Sequence, residues 1–159
     1  MILRPAQAGD IPAILDIWNP LIRDTSVTFT TEEKTAQGLA DDLAARGDAF
    51  LVAEAGGQTL GFATYGPFRA GPGYAHTAEH SVILTAEACG RGVGRALMAR
   101  LEHHARAQGI HVLIAGVSSE NERAIAFHRA IGFTEGARLP EVGRKFGRWM
   151  DLVLLHKRL

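Results

Sequence analysis

Residues 89–97, Cys-Gly-Arg-Gly-Val-Gly-Arg-Ala-Leu, set three glycines at alternate positions, Gly90, Gly92 and Gly94, with Arg91 and Arg95 beside them. A segment with helical patterning follows at once. A loop built this way exposes several backbone N–H groups at a helix N-terminus, where the helix dipole already favours an anion. A Cβ at those positions would hold a phosphate away from the amides. The chemistry implied is pyrophosphate binding. The alternative is that the glycines only let a helix cross a strand closely. Two other phosphate loops do not fit. No Gly-x4-Gly-Lys-Ser/Thr run exists, as a P-loop requires. A dinucleotide fingerprint needs Gly-x-Gly-x-x-Gly in a tight turn straight after its strand, whereas here the spacing differs and Thr85–Cys89 intervene.

The seven histidines raise the question of a metal. On an extended strand at roughly 3.3 Å per residue, His76 and His80 stand about 13 Å apart, too far to share one ion. His103 and His104 are adjacent on a helical segment and point in different directions. The expectation is no metal site. Cys89 is a lone loop thiol with no evident role. Arg91 and Arg95 read as phosphate partners rather than as a nucleic-acid patch, since the formal net charge is zero.

Length and composition limit the rest. The 159 residues are 47% hydrophobic, which excludes disorder by composition and predicts one domain, 1–159, burying about two-thirds of its unfolded surface. Zero net charge gives no general pull toward nucleic acid or an anionic membrane. A single cysteine cannot form an internal disulfide and fits a reducing compartment, so the expected location is cytoplasmic. The start, Met-Ile-Leu-Arg-Pro-Ala, carries no signal-peptide pattern, and no window approaches 18 uninterrupted apolar residues.

The elements that must position the loop follow from periodicity. Residues 1–4 read as a strand stopped by Pro5. Asp10 is placed to cap a helix with Ile11, Ile14, Leu15 and Trp18 on one face, followed by a polar loop over 19–31. Thr31-Glu32-Glu33-Lys34 is read as the start of a second helix that carries Leu39 and Leu43 and ends at Gly47. Runs 49–55 and 59–65 around Gly56-Gly57-Gln58 read as a hairpin. Residues 66–73 form a Gly/Pro loop, and a strand over about 75–84 leads into the glycine loop. Helix 92–108, strand 111–117, a helix over 121–131 and apolar runs at 133–139 and 149–156 complete the chain. Asn121 is a natural cap for the helix it heads. The order β-α-α-β-β-β-α-β-α-β-β predicts an α/β fold with a mixed sheet.

That order, with the glycine loop and with Asn121 heading a helix closed by Ile131-Gly132-Phe133, resembles the GCN5-related N-acetyltransferase (GNAT) superfamily. The superfamily's phosphate signature, Gln/Arg-x-x-Gly-x-Gly/Ala, falls here on Cys89-Gly90-Arg91-Gly92-Val93-Gly94. The glycines match, and a cysteine stands where a long polar side chain is usual. Glu79-His80-Ser81-Val82-Ile83-Leu84, Asn121 with Phe127-His128, and Lys145-Phe146-Gly147-Arg148-Trp149-Met150-Asp151 resemble the phosphinothricin and methionine sulfone/sulfoximine acetyltransferase branch, over roughly residues 2–155. The resemblance implies a single-domain GNAT fold with a mixed, mostly antiparallel sheet flanked by helices.

It also implies roles. Acetyl-CoA is the co-substrate, and the acceptor is the α-amino group of a small amino-acid-like compound such as phosphinothricin, methionine sulfone or methionine sulfoximine. Transfer is direct, without an acetyl-enzyme. Glu79 matches the branch's acidic residue and takes the ammonium proton, directly or through one water; taken alone it is a solvated strand residue. His128 stands where many members have a tyrosine and serves proton traffic, or else it packs against Phe133. The backbone of Val82, Ile83 and Leu84 pairs with the pantetheine arm as an added strand, while their side chains also pack. Gly90 to Arg95 hold the pyrophosphate. Asn121 caps its helix, contacts the cofactor, or does both. Arg69 pairs with a substrate carboxylate, with Phe29 and Tyr74 as pocket walls. The branch's homodimer is implied as well. The alternatives are the same fold acting on a polyamine, an antibiotic or a peptide N-terminus, and a non-catalytic acyl-CoA sensor. Nicotinamide dinucleotide binding, with Glu120 as its nominal ribose partner, is disfavoured by the glycine spacing.

Overall fold

Seven strands form one sheet in the order β1-β2-β3-β4-β5-β7-β6, in a computed structural model that describes residues 1–159. The strands are β1 (Ile2–Pro5), β2 (Phe50–Ala55), β3 (Gln58–Pro67), β4 (Thr77–Leu84), β5 (Val112–Ser118), β6 (Thr134–Lys145) and β7 (Arg148–Arg158). Every neighbouring pair is antiparallel except β4–β5, which is parallel. The four helices are α1 (Ile11–Asp24), α2 (Ala36–Arg46), α3 (Val93–Ala107) and α4 (Glu122–Ala130). The expected α/β class and mixed, mostly antiparallel sheet are what the chain adopts.

The sheet is covered on both faces, and the alternation of side chains along each strand divides the core in two. On one face α1 and α2 lay Ile14, Trp18, Ile22 and Leu39 against Phe50, Val52, Phe62 and Ile83. On the other, α3 and α4 lay Val93, Leu97, Leu101, Ala105 and Ile125 against Leu51, Ala53, Ala63, Leu113 and Val153. Along β4, Ala78, His80, Val82 and Leu84 therefore look toward α3 and α4, and Glu79, Ser81 and Ile83 look the other way.

Four expectations need correction. The segment 19–31 is not all loop, because α1 runs through Pro20 to Asp24. Its apolar stripe continues from Ile14 and Trp18 to the fully buried Ile22, and burial of that turn outweighs the hydrogen bond a helix proline removes. Asp10 holds the N-cap position of α1, but its side chain makes no capping bond; its carboxylate accepts from the Arg4 guanidinium at 2.7 and 2.8 Å and from Gln7 N. The second helix starts later than Thr31: Thr35 is its cap, with Oγ1 accepting from Gly38 N at 3.0 Å. Lys34 is instead tied back to Asn19, which accepts from Lys34 N at 2.8 Å and donates to Lys34 O at 3.0 Å. Finally, β6 and β7 form one long hairpin out to Lys145 and Arg148. Its outer half is mostly exposed, so that edge strand carried no apolar alternation to read.

Candidate active site

The parallel pair β4–β5 is short. It is in register only from Thr77↔Val112 to His80↔Ala115. Beyond that rung β4 continues to Leu84 against β3, while β5 continues to Ser118 against β7. The two strands diverge, and the β5-facing edge of β4 past His80 has no strand partner. A cleft of about 250 Å³ opens there, lined by Ser81, Val82, Ile83, Gly116, Asn121 and His128 among others. An unpaired strand edge accepts an extended ligand arm by main-chain hydrogen bonding, with little demand on side-chain identity. Val82 and Ile83 lie on it, and Leu84 continues the same edge.

The glycine loop follows β4 after a short helical turn over Ala86–Ala88. Gly90 (φ +74°) and Gly92 (φ +81°) hold left-handed backbone, which glycine adopts without the Cβ penalty. A Cβ at either would meet nothing within 4 Å. Gly92 stands at the N-terminus of α3 with no side-chain cap and no acidic residue in the first turn, so the first amide N–H groups of α3 remain available to an anion. Gly94 differs: a Cβ there would lie 3.3 Å from both Leu84 and Phe127. Two of the glycines thus open the loop, and the third permits close helix packing. Arg91 and Arg95 are exposed and enter no ion pair. The Cys89 thiol donates back to Thr85 O at 3.4 Å, so in place of a long polar side chain the loop has a local contact. These residues fit a pyrophosphate and an extended arm.

Glu79 pairs with Ile114, one rung before the last paired position of β4. The residue is exposed, but its carboxyl turns onto β5, where a Cβ on Gly116 would lie 2.8 Å from Oε1. No cation or hydrogen-bond donor of the protein reaches it. Partial loss of water around the carboxyl holds its pKa above the ordinary carboxylate value.

His128, on α4, is buried behind the opposite face of β4. Its Nδ1–H donates to Ala124 O at 2.7 Å, and its Nε2 lies 3.0 Å from Nε2 of His80. Phe133 stands edge-on to it at 5.3 Å between ring centres. The expected packing against Phe133 is present, and the residue also lines the cleft. Burial lowers the pKa of His128 and pushes that of His80 down to about 3. Asn121 caps α4, with Oδ1 accepting from Ala124 N at 3.1 Å. Its amide NH₂ makes no protein hydrogen bond and lies on the cleft lining.

The three residues expected around an acceptor separate. Phe29 lines the cleft, and its ring fills the space over Gly143, where a Cβ would lie 2.5 Å away. Arg69 and Tyr74 instead border a second cavity of about 540 Å³, together with Arg46, Tyr65 and His104. The guanidinium of Arg69 rests 5.5 Å from the Phe68 ring centre and 6.0 Å from that of Tyr74.

Reading the sequence missed three contributors. Lys145 is buried, and its ammonium donates to Thr25 O at 2.7 Å, Thr28 O at 2.8 Å and Thr28 Oγ1 at 3.2 Å, pinning the loop that carries Phe29. Lys34 lies over the Trp18 ring at 4.8 Å, and both line the cleft. The partner of His80 is not His76 on its own strand but His128, on a helix 48 positions away.

Known proteins share this arrangement. Residues 13–133 match the Acetyltransferase (GNAT) family. The chain is 38% identical over 161 residues to the L-methionine sulfoximine/L-methionine sulfone acetyltransferase of Pseudomonas aeruginosa, spanning 99% of this chain and 94% of that protein. Among solved structures, a ribosomal-protein-alanine N-acetyltransferase from Brucella melitensis is 41% identical with a TM-score of 0.94 and full coverage of both chains. A GNAT superfamily phosphinothricin acetyltransferase from Sinorhizobium meliloti, in complex with acetyl-CoA, is 28% identical with a TM-score of 0.92, covering 99% of this chain and 88% of the other. Near-complete likeness in sequence and in fold, on top of a splayed β4–β5 pair that opens beside a glycine loop, leads to one assignment: this chain belongs to the acetyltransferase (GNAT) family, as an N-acetyltransferase that draws its acetyl group from acetyl-CoA.

Proposed function

We propose that the enzyme acetylates the α-amino group of a small amino-acid-like acceptor of the methionine sulfone, methionine sulfoximine or phosphinothricin type. The observation that carries this reading is the cleft itself. At about 250 Å³ it lies at the small end of ligand sites, and it is walled by a loop that Lys145 pins in place. The kinship to enzymes named for these acceptors supports it.

Acetyl-CoA supplies a thioester carbonyl to the amine. An α-ammonium, with a pKa near 7.7–8.0 in peptides, has no lone pair until it loses a proton. Glu79 takes that proton, directly or through one water, and its raised pKa makes it a better base than an ordinary carboxylate. The amine nitrogen then bonds to the acetyl carbon, the C–S bond breaks, and the thiolate leaves with a proton. Gly90, Gly92 and the first amides of α3, with Arg91 and Arg95, hold the pyrophosphate. Val82, Ile83 and Leu84 offer main-chain groups to the arm, and the free amide of Asn121 faces the same cleft. His128 borders the reacting groups from the α4 side. Arg69 and Tyr74, set on a separate cavity, reach an acceptor only if their loop swings toward the cleft. The enzyme works in the cytoplasm as a homodimer; the dimer is supported by Val142, Phe146 and Trp149, all exposed on the β6–β7 hairpin.

A second reading has one observation in its favour. The likeness to a ribosomal-protein-alanine N-acetyltransferase is 41% in sequence, which suggests a peptide N-terminus as the acceptor. Measuring CoA release with free amino acids, the three named acceptors, polyamines and alanine-terminated peptides separates the two. Turnover of methionine sulfone without turnover of peptide is expected. Turnover of peptide alone would transfer the assignment to the second reading, and turnover of no amine would overturn both.

A further inference from the structure

We propose that His80 is a positioning residue: its Nε2–H donates to Nε2 of His128 and holds that ring in the wall of the cleft, so that the two imidazoles work as one neutral pair. The inference rests on the functional reading above for its consequence in catalysis, and on geometry alone for the pair itself.

Proton placement follows from the contacts. The carbonyl of Ala124 can only accept, so the 2.7 Å contact places a proton on Nδ1 of His128. In a neutral ring Nε2 of His128 is then a bare acceptor. Its neighbour at 3.0 Å is Nε2 of His80, and two lone pairs do not meet at that distance, so His80 carries its proton on Nε2. That leaves Nδ1 of His80 as a buried acceptor, and it is the single buried side-chain polar atom of the protein with no partner. His80 is 6% exposed and His128 4%. Neither ring bonds to a carboxylate or a hydroxyl, and Phe133 packs against both, at 5.2 and 5.3 Å between centres. Burial disfavours an imidazolium at either ring, and it outweighs the carbonyls of Ile114 beside His80 and Ala124 beside His128, which pull the other way.

Such a pair is an unlikely product of packing alone. Two apolar residues of similar volume would fill the space with no orphaned nitrogen, at little or no cost in stability. Both histidines, moreover, line the cleft. His128 is thus held at both ring nitrogens, by Ala124 on its own helix and by His80 from β4. The positioning role predicts that removing the His80 donor lowers kcat while leaving the KM for acetyl-CoA near its original value, because the glycine loop and the strand edge are untouched.

The first test needs no substrate. Long-range ¹H–¹⁵N spectra of the full-length wild-type protein at neutral pH should show His128 protonated on Nδ1 and His80 on Nε2. The opposite tautomer at either ring overturns the pair, whatever the enzyme acetylates. The second test compares His80→Leu with His80→Gln, whose amide can place a donor near the same point. His80→Leu is expected to lose roughly tenfold in kcat, the worth of one buried hydrogen bond, with most of it restored in His80→Gln. Equal rates in both variants, or a loss that appears only in the KM for acetyl-CoA, would overturn the positioning role. If wild-type enzyme turns over no amine, the functional reading fails while the spectra still decide the pair.

Discussion

Glu79 and His80 are neighbours in the chain and occupy the same end of the paired β4–β5 segment, yet their surroundings are opposite. Glu79 faces outward, with its carboxyl laid on Gly116 and no partner of either charge. His80 faces inward, sealed between α4 and Phe133 and bonded to a second imidazole. The alternation of a strand sorts them, and desolvation then acts on them in opposite directions, raising the carboxyl's pKa and lowering the imidazole's. One side of the strand holds a partly desolvated carboxyl, the proposed base, and the other a buried pair of imidazoles. On the proposed reading, a single strand separates the group that changes its charge from the groups that do not.

The comparison breaks most directly at Glu79. Glu79→Gln keeps the shape of the side chain and removes the base, so kcat should fall by about 10²–10⁴, the usual worth of general acid–base catalysis. The KM for acetyl-CoA should stay unchanged. Steady-state CoA release with methionine sulfone measures both. In wild-type enzyme the rate should rise with pH through the raised pKa of Glu79, and that limb should vanish in Glu79→Gln. Full activity of the variant across pH would remove Glu79 from the reaction.

Gly116→Ala tests the same carboxyl without touching it. The added Cβ would lie 2.8 Å from Oε1, so the carboxyl must move. Displacing a reacting group by about 1 Å can cost roughly 10²-fold in rate. The expected signature is a fall in kcat with intact acetyl-CoA binding, seen by calorimetric titration of the cofactor. Unchanged kcat would show that the position over Gly116 is not the working one.

How much of this was legible beforehand differs between the two ends of the cleft. The glycine loop could be read because backbone chemistry leaves a composition signature: Gly90 and Gly92 are where an open left-handed turn needs them. Asn121 could be read locally as a helix cap, but its place in the site, like that of Glu79 and His128, could be read only as a pattern shared with a family. Their geometry depends on which face of β4 each one takes and where β5 diverges from it, neither of which is local in sequence. His80 lay out of reach because its bond spans 48 positions. The end of α1 lay out of reach because the polar composition of 19–31 reads as a loop, while burial of Ile22 carries the helix on to Asp24. The 25–35 loop held nothing to announce that Lys145, from the far end of the chain, ties it down.

Lys145→Met isolates that tie. The variant keeps the aliphatic stem and leaves the carbonyls of Thr25 and Thr28 without their donor. An unsatisfied group of this kind costs about 1–3 kcal/mol when buried, so urea unfolding should show a loss of about 2 kcal/mol with an unchanged m-value. Because Phe29 rides on this loop, the KM for the amine should rise while that for acetyl-CoA holds. A rise in both would mean that the loop serves the cofactor too.

The smallest effect is also the most specific to the two sides of β4. A histidine whose folded pKa is lowered binds fewer protons folded than unfolded, so its contribution is complete above the unfolded value of 6.5 and is lost as pH falls below it. For His80 that window runs from 6.5 down to about 3, and His128 loses stability in the same direction. For His80 the loss between pH 7 and pH 5.5 amounts to about 1 kcal/mol. Glu79 works against it. Its folded pKa is raised, so the folded protein gains relative stability as pH falls toward 4.5. Asp10, lowered by its Arg4 partner, titrates below this range and leaves the comparison undisturbed. Urea midpoints of wild-type protein at pH 7 and 5.5 should therefore fall, and the same interval in Glu79→Gln should fall further, since the opposing carboxyl is gone. In His80→Gln the fall should shrink by the share of one histidine. A wild-type midpoint that stayed level while the Glu79→Gln midpoint stayed level too would mean that the imidazoles are not sealed from water, and the contrast between the two sides of the strand would disappear.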